Sequence, residues 1–414
     1  MNQVPARRLG DLCDLVSLQV DPAATPNAAY IGLEHVPPGR FWISRHGLAQ
    51  EAQSSKFKFS EGDVLYGKLR PYLDKAVIAP SAGVCTTELL VLRPRSDVPS
   101  TYLAAVVHAP GFTEHAMAGV TGAHHPRTSW HHISEFELPE HSSDQRQKIG
   151  GLLSQIQRLI ECVEAQTATA LEIKSGAMDA LFSRGLRTMA QKETEIGALP
   201  ESWDVVSFKT VREWLQYGTS TRCSTEPATY AVLRIPNIGS GTVIPDDLKY
   251  CDMSASEAAK YLLELGDLIF IRTNGVLERL GSCAVYRGAP QQALFASYLI
   301  RARLDLKRVD PRFVAHFYGS KLGTSLVSGR ATPASDGKYN LNTGTIDALP
   351  LPVPPALDEQ VEIADILDTM DTKITLHQEK RAVLEELFKA LLHKLMTGEI
   401  DVNDLDLSVL QPAT

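Results

Sequence analysis

A heptad pattern occurs twice in the chain, and it constrains the fold more than any other feature. From Ile149 and again from Ile363, mostly apolar residues recur in alternating steps of four and three through ten positions. The second series follows the first at a constant spacing of 214 residues without a gap. This periodicity is typical of the contact face of a coiled coil. The sequence therefore predicts two long helices, each about 60 Å long at 1.5 Å per residue.

Twelve apolar members of the two series form the predicted helix–helix seam, and we expect the helices to pack antiparallel. They are Ile149, Leu153, Ile156, Ile160, Ile363, Leu367, Met370, Ile374, Leu384, Phe388, Leu391 and Leu395. Polar residues, Thr167 and Lys174 in one series and His377 and Arg381 in the other, interrupt the pattern. Such residues usually fix the register of paired helices. Each series begins after a proline-containing strand end, and Asp144 and Asp358 are the predicted N-caps.

The duplication extends beyond the helices. The stretch "GDVLYGKLR" from Gly62 has a counterpart in "GDLIFIRTN" from Gly266, each a Gly-Asp turn followed by a strand. Strand-like runs follow both, "TELLVLRP" (87–94) and "ASYLIRARL" (296–304). The predicted fold class is α+β: two globular α/β domains separated by two long antiparallel coiled-coil helices, with an internal pseudo-two-fold duplication.

Charge and cysteine content limit the classes of function. The net charge is −8, but residues 1–141 carry only −2 and residues 191–352 carry +1, because the acidic excess lies after residue 352. A local basic face on either large segment remains compatible with binding a polyanion. The six cysteines are far apart and form no CxxC pair, which favours a reducing cytoplasm over a disulfide framework or a zinc site. No apolar run is long enough to span a bilayer, so no membrane association is expected.

The residues after Gly62 imitate a phosphate-binding loop but lack its chemistry. Gly62, Gly67 and Lys68 have the GxxxxGK spacing, yet Leu69 stands where a Ser or Thr would hold magnesium. Pro71 disfavours the helix that must begin there, because residues before proline avoid helical geometry. An ATPase is therefore not the preferred interpretation.

Four stretches together resemble the specificity subunit of type I restriction-modification enzymes, and the resemblance covers nearly the whole chain. They are "GDVLYGKLRPYLDKAV", "CTTELLVLRP", "GDLIFIRTNG" and "LPLPVPPALDEQVEIADILDTMDTKI". The first helix start, "LPEHSSDQRQKIGGLLSQIQRLI", departs from the pattern in having Asp-Gln for Glu-Gln and no second proline cluster. This departure leaves the start of the first long helix open.

The resemblance implies a protein that reads a bipartite DNA sequence and catalyses nothing itself. Its implied partners are double-stranded DNA, two adenine methyltransferase subunits, and restriction subunits that translocate and cleave DNA. No cofactor or metal is expected, and the chain lacks methylation motifs such as N/D-P-P-Y/F. The implied segments are target recognition domain 1 (1–141), a central long helix (142–190), target recognition domain 2 (191–352), a C-terminal long helix (353–398) and an acidic tail (399–414).

Candidate DNA-binding residues lie where each duplicated strand ends and in the polar loop that precedes each long helix. Arg and Lys neutralise phosphate, Arg also suits guanine, and Asn suits adenine. Polar loops on a rigid scaffold commonly carry recognition. In the first half the candidates are Lys68, Arg70, Tyr72, Arg127, Ser129 and Trp130; in the second they are Arg272, Thr273, Asn274, Arg279, Lys338, Tyr339, Asn340 and Asn342.

Two other interpretations stay open at this stage. A scaffold that holds two protein partners without reading DNA would show the same helix pattern. A methyltransferase-associated recognition module without restriction is the second alternative. The pattern does not give the target bases or the spacer length, because side-chain-to-base pairing depends on docking geometry.

Overall fold

The computed structural model describes residues 6–122, 124–187, 189–239 and 241–406. The chain divides into two compact units. Unit 1 is made of the residues up to Gln166 together with those from His377 onward, and unit 2 is Thr167–Leu376. Each of the two long helices contributes one part to unit 1 and the other part to unit 2.

The described part of unit 1 contains three sheets, one of them a two-stranded pair, and three α-helices before the first long helix. Its strands are β1 (Ala6–Arg8), β2 (Cys13–Val16), β3 (Gln19–Val20), β4 (Ala29–Ile31), β5 (Gly47–Leu48), β6 (Lys56–Phe59), β7 (Val64–Gly67), β8 (Ala76–Ile78), β9 (Gly83–Cys85), β10 (Leu89–Pro94) and β11 (Glu137–Pro139). Its helices are α1 (Ser100–His108), α2 (Pro110–Ala118) and α3 (Trp130–Ile133). One sheet is antiparallel with strand order β2-β10-β7-β8. The other has the order β3-β6-β9-β4-β5, and a separate pair joins β1 to β11.

The first long helix, α4, spans Ser143–Arg184, and the elements of unit 2 follow it. The strands are β12 (Gln191–Thr194), β13 (Gly197–Pro200), β14 (Asp204–Ser207), β15 (Arg212–Tyr217), β16 (Tyr230–Leu233), β17 (Gly241–Thr242), β18 (Lys249–Cys251), β19 (Leu268–Ile271), β20 (Thr273–Asn274), β21 (Cys283–Val285), β22 (Ala293–Phe295), β23 (Leu299–Leu304), β24 (Thr332–Pro333), β25 (Tyr339–Asn340) and β26 (Pro350–Val353). The helices are α5 (Ala255–Ala258), α6 (Pro311–Gly319), α7 (Lys321–Ser328) and α8 (Thr343–Asp347), and the second long helix is α9 (Leu357–Thr397).

The two units share one topology, and the predicted α+β class with internal duplication is confirmed. In unit 2 the main sheet has the order β15-β23-β19-β21-β17, whose first four strands repeat β2-β10-β7-β8. The smaller sheet, β18-β16-β22, keeps a parallel pair, β16 with β22, that corresponds to β4 with β9. The pair β14–β26 repeats β1–β11, and α6–α7 repeats α1–α2.

The repeated Gly-Asp turn is a structural element. Gly62 and Gly266 have φ angles of +81° and +88°, a region that favours glycine. The following aspartates, Asp63 and Asp267, are buried, and each accepts hydrogen bonds from the Nε and Nη2 atoms of an arginine, Arg93 and Arg303 respectively. Each aspartate therefore ties the start of β7 or β19 to the neighbouring strand, which explains why the Gly-Asp sequence occurs in both halves.

The long helices pack antiparallel within each unit. In unit 1 the early turns of α4, from Ile149 to Ile160, share a buried cluster with Phe388 and Leu395 near the end of α9. In unit 2 the last turns of α4 share a cluster with Ile363 and Leu367 near the start of α9. Of the remaining seam residues, Ile374 is buried, Leu384 and Leu391 pack half-buried in unit 1, and Met370 does so in unit 2. Burial of this stripe is the main source of stability for such helices.

The helix ends differ from the predicted ones. Ser142 is the N-cap of α4: its backbone N–H donates to Gln145 Oε1, and its Oγ accepts from the Gln145 N–H. This is a reciprocal capping box. The N-cap prediction for Asp144 was therefore wrong, as was that for Asp358. Both carboxylates lie in the first helical turn, where they interact favourably with the helix dipole.

A glycine in the left-handed region follows the last residue of each long helix. Gly185 directly follows α4 and has a φ of +64°, and Gly398 directly follows α9 and has a φ of +73°. This backbone region favours glycine and commonly ends a helix. The start of the predicted acidic tail is ordered on unit 1, where Val402 is buried. Residues 407–414 lie outside the described residues. Among the described helices, none has a stretch both long and apolar enough to cross a lipid bilayer.

Candidate nucleic-acid interface

In unit 1 the two predicted loops lie side by side. The carbonyl of Lys68, directly after β7, accepts a hydrogen bond from the Thr128 N–H at 3.0 Å. The Arg70 N–H donates to the carbonyl of Pro126 at 2.8 Å, and Leu69 forms a bridge with Arg127. The strand end and the polar loop before α3, separated by about sixty residues in the chain, therefore form one surface cluster. Its predicted members are Lys68, Arg70, Tyr72, Arg127, Ser129 and Trp130.

In unit 2 the corresponding loops meet in the same way. The Leu341 N–H donates to the carbonyl of Arg272 at 2.8 Å. Thr273 pairs with Asn340, and Asn274 with Tyr339, in the short ladder between β20 and β25. Lys338 directly precedes β25, and Asn342 lies two residues after the end of β25. Arg279 is the last residue of a 3-10 helix in the segment that follows β20. The structure places the second set of predicted residues on these two adjoining segments.

The residues after β7 confirm that this strand end is no phosphate-binding loop. Pro71–Leu73 form a single 3-10 turn, preceded by Arg70 in the left-handed region with φ of +53°. A non-glycine residue in this region is uncommon and costs conformational energy, so it marks a position held by its surroundings. Arg70 is exposed and Tyr72 is 53% exposed, and both side chains are thus available to a ligand.

The basic residues of the clusters differ in how firmly they are held. Arg127 pairs with Glu88 through its Nε and Nη2 atoms, at 2.9 and 3.1 Å. Hydrogen bonding to Glu88 raises the pKa of Arg127 above its usual range. The guanidinium of Arg272 stacks over the ring of Tyr217, 4.7 Å from its centroid. Lys338 pairs with exposed Asp336 at 2.9 Å, an interaction that contributes little by itself.

Four of the predicted site residues cap a helix or pack against a core. Ser129 is the N-cap of α3, and Asn342 is the N-cap of α8, where its Oδ1 accepts from the Thr345 N–H. The Trp130 ring packs half-buried against the core of unit 1, and Tyr339 packs against that of unit 2. These four side chains therefore hold the loops in place, and their DNA contacts stay a prediction.

Sequence reasoning did not single out three residues that complete the clusters: Glu88, Tyr217 and Tyr298. Glu88 and Tyr298 stand directly before β10 and β23, and their carbonyls accept from the N–H groups of Lys68 and Arg272 at 3.0 Å. Tyr217 ends β15. Alignment of the two repeated strand runs would have shown that Glu88 and Tyr298 occupy one position, since each precedes the first leucine of its run.

Two pairs of adjacent histidines, His124–His125 and His131–His132, lie between α2 and β11, and in the described residues neither pair belongs to a group of three possible metal ligands. His132 stacks on His115 with ring centroids 4.3 Å apart, and each ring bonds to the other residue's carbonyl. Among the described residues, the group of three possible ligands that lies together is His316, Asp368 and Asp371. Arg287 and Lys174 already pair with these two carboxylates, so the group is an ion-pair network of unit 2.

The second half of the chain is similar in sequence to a known protein family. Residues 200–386 match the family model for the type I restriction modification DNA specificity domain. These residues are similar to type I DNA specificity domains. The resemblance predicted from the sequence is confirmed, because curated specificity subunits also match the chain.

Curated relatives of the chain come from archaea and bacteria. A putative type I restriction enzyme MjaX specificity subunit of Methanocaldococcus jannaschii is 29% identical over 50% of this chain and 48% of its own length. The EcoKI specificity subunit of Escherichia coli K12 is 26% identical over 47% of this chain and 42% of its own length. The chain thus spans about half the length of these curated relatives.

Solved structures agree with the fold over nearly the whole chain. The S subunit of a type I restriction-modification system from M. genitalium superposes with a TM-score of 0.60, covering 96% of this chain and 97% of that one, at 12% identity. A chain from a type I R-M system studied for complex assembly and conformational transition gives a TM-score of 0.51 at 18% identity, covering 96% of this chain and 98% of that one. At these identities the likeness establishes the fold.

Proposed function

We propose that the chain is a DNA-recognition subunit that reads a bipartite target, one half-site with each unit. The observation that carries the proposal is the pair of equivalent clusters, in which basic and amide side chains surround the ends of β7 and β19. The residues that read DNA in this proposal are the predicted site residues of the two clusters. Phosphate contacts from Lys68 and Arg70 position the duplex, and groups such as Asn340 read base edges.

The proposed subunit directs chemistry that its partners perform. Two methyltransferase subunits modify adenine in the target, and restriction subunits join that core. In support, the sequence has no amino-methylation motif, and the curated relatives are specificity subunits of restriction enzymes. Since the substrate is the host's own DNA, the proposed site of action is the cytoplasm.

Exposed apolar residues on the long helices support two partner sites. Ile173 on α4 is 58% exposed, and Leu387 on α9 is 39% exposed. Their numbers differ by the same 214 residues that relate the two seams. A single exposed apolar residue is common on a protein surface, so the support lies in its recurrence at the equivalent position of the second helix. Equivalent positions on both helices fit two copies of one partner, which is the arrangement proposed for the methyltransferase.

Methylome sequencing tests the proposed function. The full chain is expressed with its methyltransferase partner in a host without other adenine methylation, and modified sites are sequenced. We expect a two-part modified-adenine motif that appears only when the chain is present. A partner that binds the chain but methylates without any dependence on it would favour the scaffold alternative and overturn the proposal.

A further inference from the structure

The guanidinium of Arg127 is fixed in orientation by Glu88. The two-point contact uses the edge of the guanidinium that carries Nε and one hydrogen of Nη2. Glu88 is itself anchored, because its carbonyl accepts from the Lys68 N–H. The side chains of Arg127 and Glu88 are 42% and 26% exposed, so the pair lies at the surface of the cluster.

This contact leaves the other edge of the guanidinium directed away from Glu88. An arginine has five N–H donors in a planar fork. The edge formed by Nη1 and Nη2 has two donors that match the O6 and N7 acceptors of guanine in the major groove. Within the described residues, the one further hydrogen bond of this edge is long, 3.4 Å from Nη1 to the carbonyl of His125. Orientation by Glu88 also reduces the conformational freedom lost on binding.

The same structural position in unit 2 is occupied by an amide. Asn340 corresponds to Arg127, because Asn340 pairs with Thr273 as Arg127 pairs with Leu69. Tyr298 corresponds to Glu88 and is 56% exposed. No side-chain hydrogen bond of Asn340 is recorded within the described part of unit 2, so its amide is available to a ligand. An asparagine amide matches the N6 and N7 atoms of adenine.

We propose that Arg127, oriented by Glu88, reads a guanine in one half-site and that Asn340 reads an adenine in the other. This inference rests on the proposed function and assigns base identity to one equivalent position in each unit. Glu88 acts as a positioning residue, since it reaches the base only through Arg127.

The test compares modified-site motifs for variants of the full chain expressed with the methyltransferase partner. Arg127→Lys keeps the charge but removes the fork. We expect discrimination at one guanine of one half-site to fall roughly tenfold to a hundredfold. Glu88→Gln should relax the same position to a smaller extent, because the amide oxygen still accepts one hydrogen bond. Asn340→Ala should relax an adenine in the opposite half-site and leave the first half-site unchanged.

Arg95→Lys is the matched control. Arg95 follows the other end of β10 and pairs with exposed Asp14 at 3.3 Å, so its replacement should leave both half-sites unchanged. A role of the Glu88–Arg127 pair in stability alone would lower methylation at every site without altering the motif, and that result would overturn the inference. If soluble Arg127→Lys protein directs methylation to an unaltered motif, the base assignment is also overturned. The proposed function would still hold in that case, because the two-part motif depends on the chain. If the unsubstituted chain with its partner gives no methylated DNA motif, that result counts against the proposed function instead.

Discussion

At the residue scale, the buried aspartates of the Gly-Asp turns tie together neighbouring strands in the main sheet of each unit. Asp63 also accepts from the Ser60 N–H, and Asp267 from the Glu264 N–H, so each carboxylate is held by a turn and by an arginine. A buried charge without its partner costs several kcal/mol. The sequence repeat preserves this pairing because each sheet depends on it.

Asp63→Asn should destabilise the chain by about 3 kcal/mol, because an amide NH₂ cannot accept from the Arg93 guanidinium. Urea unfolding of the full chain measures the effect. The control is Asp14→Asn, which alters an exposed pair with Arg95 and should cost less than about 1 kcal/mol. Equal losses for the two variants would contradict the structural role assigned to Asp63.

Cysteine reactivity gives a second prediction at this scale. Burial raises the pKa of Cys13 to about 12, with a smaller contribution from Asp14, and burial raises the pKa of Cys85 to about 12. A raised thiol pKa means that the unreactive neutral form persists at pH 8. Cys162 on α4 is exposed. Iodoacetamide at pH 8 should therefore modify Cys162 first, as read by mass spectrometry; earlier labelling of Cys13 would show that the unit 1 core opens.

At the element scale, the outward faces of the long helices should determine partner binding. Ile173→Glu and Leu387→Glu each place a charge at one of two equivalent apolar positions. Burying an Ile or Leu side chain in an interface contributes about 2 kcal/mol to binding, and a charge at that position removes this contribution. Each single variant should therefore retain one methyltransferase subunit, and the double variant should retain none. Native mass spectrometry reads this stoichiometry.

Leu171→Glu is the control for that experiment. Leu171 is 50% exposed on α4, but the residue 214 positions later is Glu385, so a carboxylate already stands at the equivalent place on α9. The variant should keep both partner subunits. Loss of a subunit from Leu171→Glu, with Ile173→Glu unaffected, would contradict docking at equivalent positions.

Periodicity predicted the long elements well and their ends poorly. The heptad stripe identifies α4 and α9 because every turn repeats the same constraint. A cap is one local choice among neighbours of similar propensity, and Ser142, Ser143 and Asp144 are all good N-caps. Only the side chain of Gln145, bonded to the Ser142 backbone, decides between them.

The candidate site was predictable as segments but not as contacts. Charged and amide residues at the end of a strand and in a polar loop are visible in the sequence. Their adjacency arises from backbone bonds such as that from Thr128 to Lys68, which no local pattern specifies. For the same reason the pairing of Arg127 with Glu88 is invisible until the two segments are placed together.

At the scale of the whole molecule, charge limits what the chain does alone. The two globular segments, 1–141 and 191–352, carry net charges of −2 and +1. Few released counterions mean weak nonspecific affinity for duplex DNA. We expect weak binding by the isolated chain and specific binding with the methyltransferase, measured as DNA mobility at several salt concentrations. Tight sequence-specific binding by the chain alone would contradict this expectation.

The duplication also predicts how a half molecule assembles. A fragment of residues 1–188 lacks the part of α9 that covers the unit 1 core. In the full chain, Leu392 and Met396 of α9 pack in this core. The residues 214 positions earlier are Met178 and Phe182, which are also apolar. The end of α4 from a second fragment could therefore cover the unit 1 core in place of α9. The mismatch is Lys174, which would replace Phe388, whose ring packs edge-on against Phe41 with centroids 5.8 Å apart. In the full chain Lys174 instead pairs with Asp371 at 2.5 Å.

Lys174→Phe should therefore act in opposite directions in the two proteins. In the fragment it restores an aromatic ring at the position of Phe388, so light scattering should show a stronger two-fold dimer than for the unsubstituted fragment. In the full chain it removes the ammonium that pairs with half-buried Asp371 at 2.5 Å and should lower the free energy of unfolding by about 1–2 kcal/mol. With the methyltransferase bound, the dimer should mark an inverted repeat, because protein symmetry is mirrored in the DNA site. A monomeric Lys174→Phe fragment, or a dimer that marks a non-palindromic motif, would show that the two helices are not interchangeable.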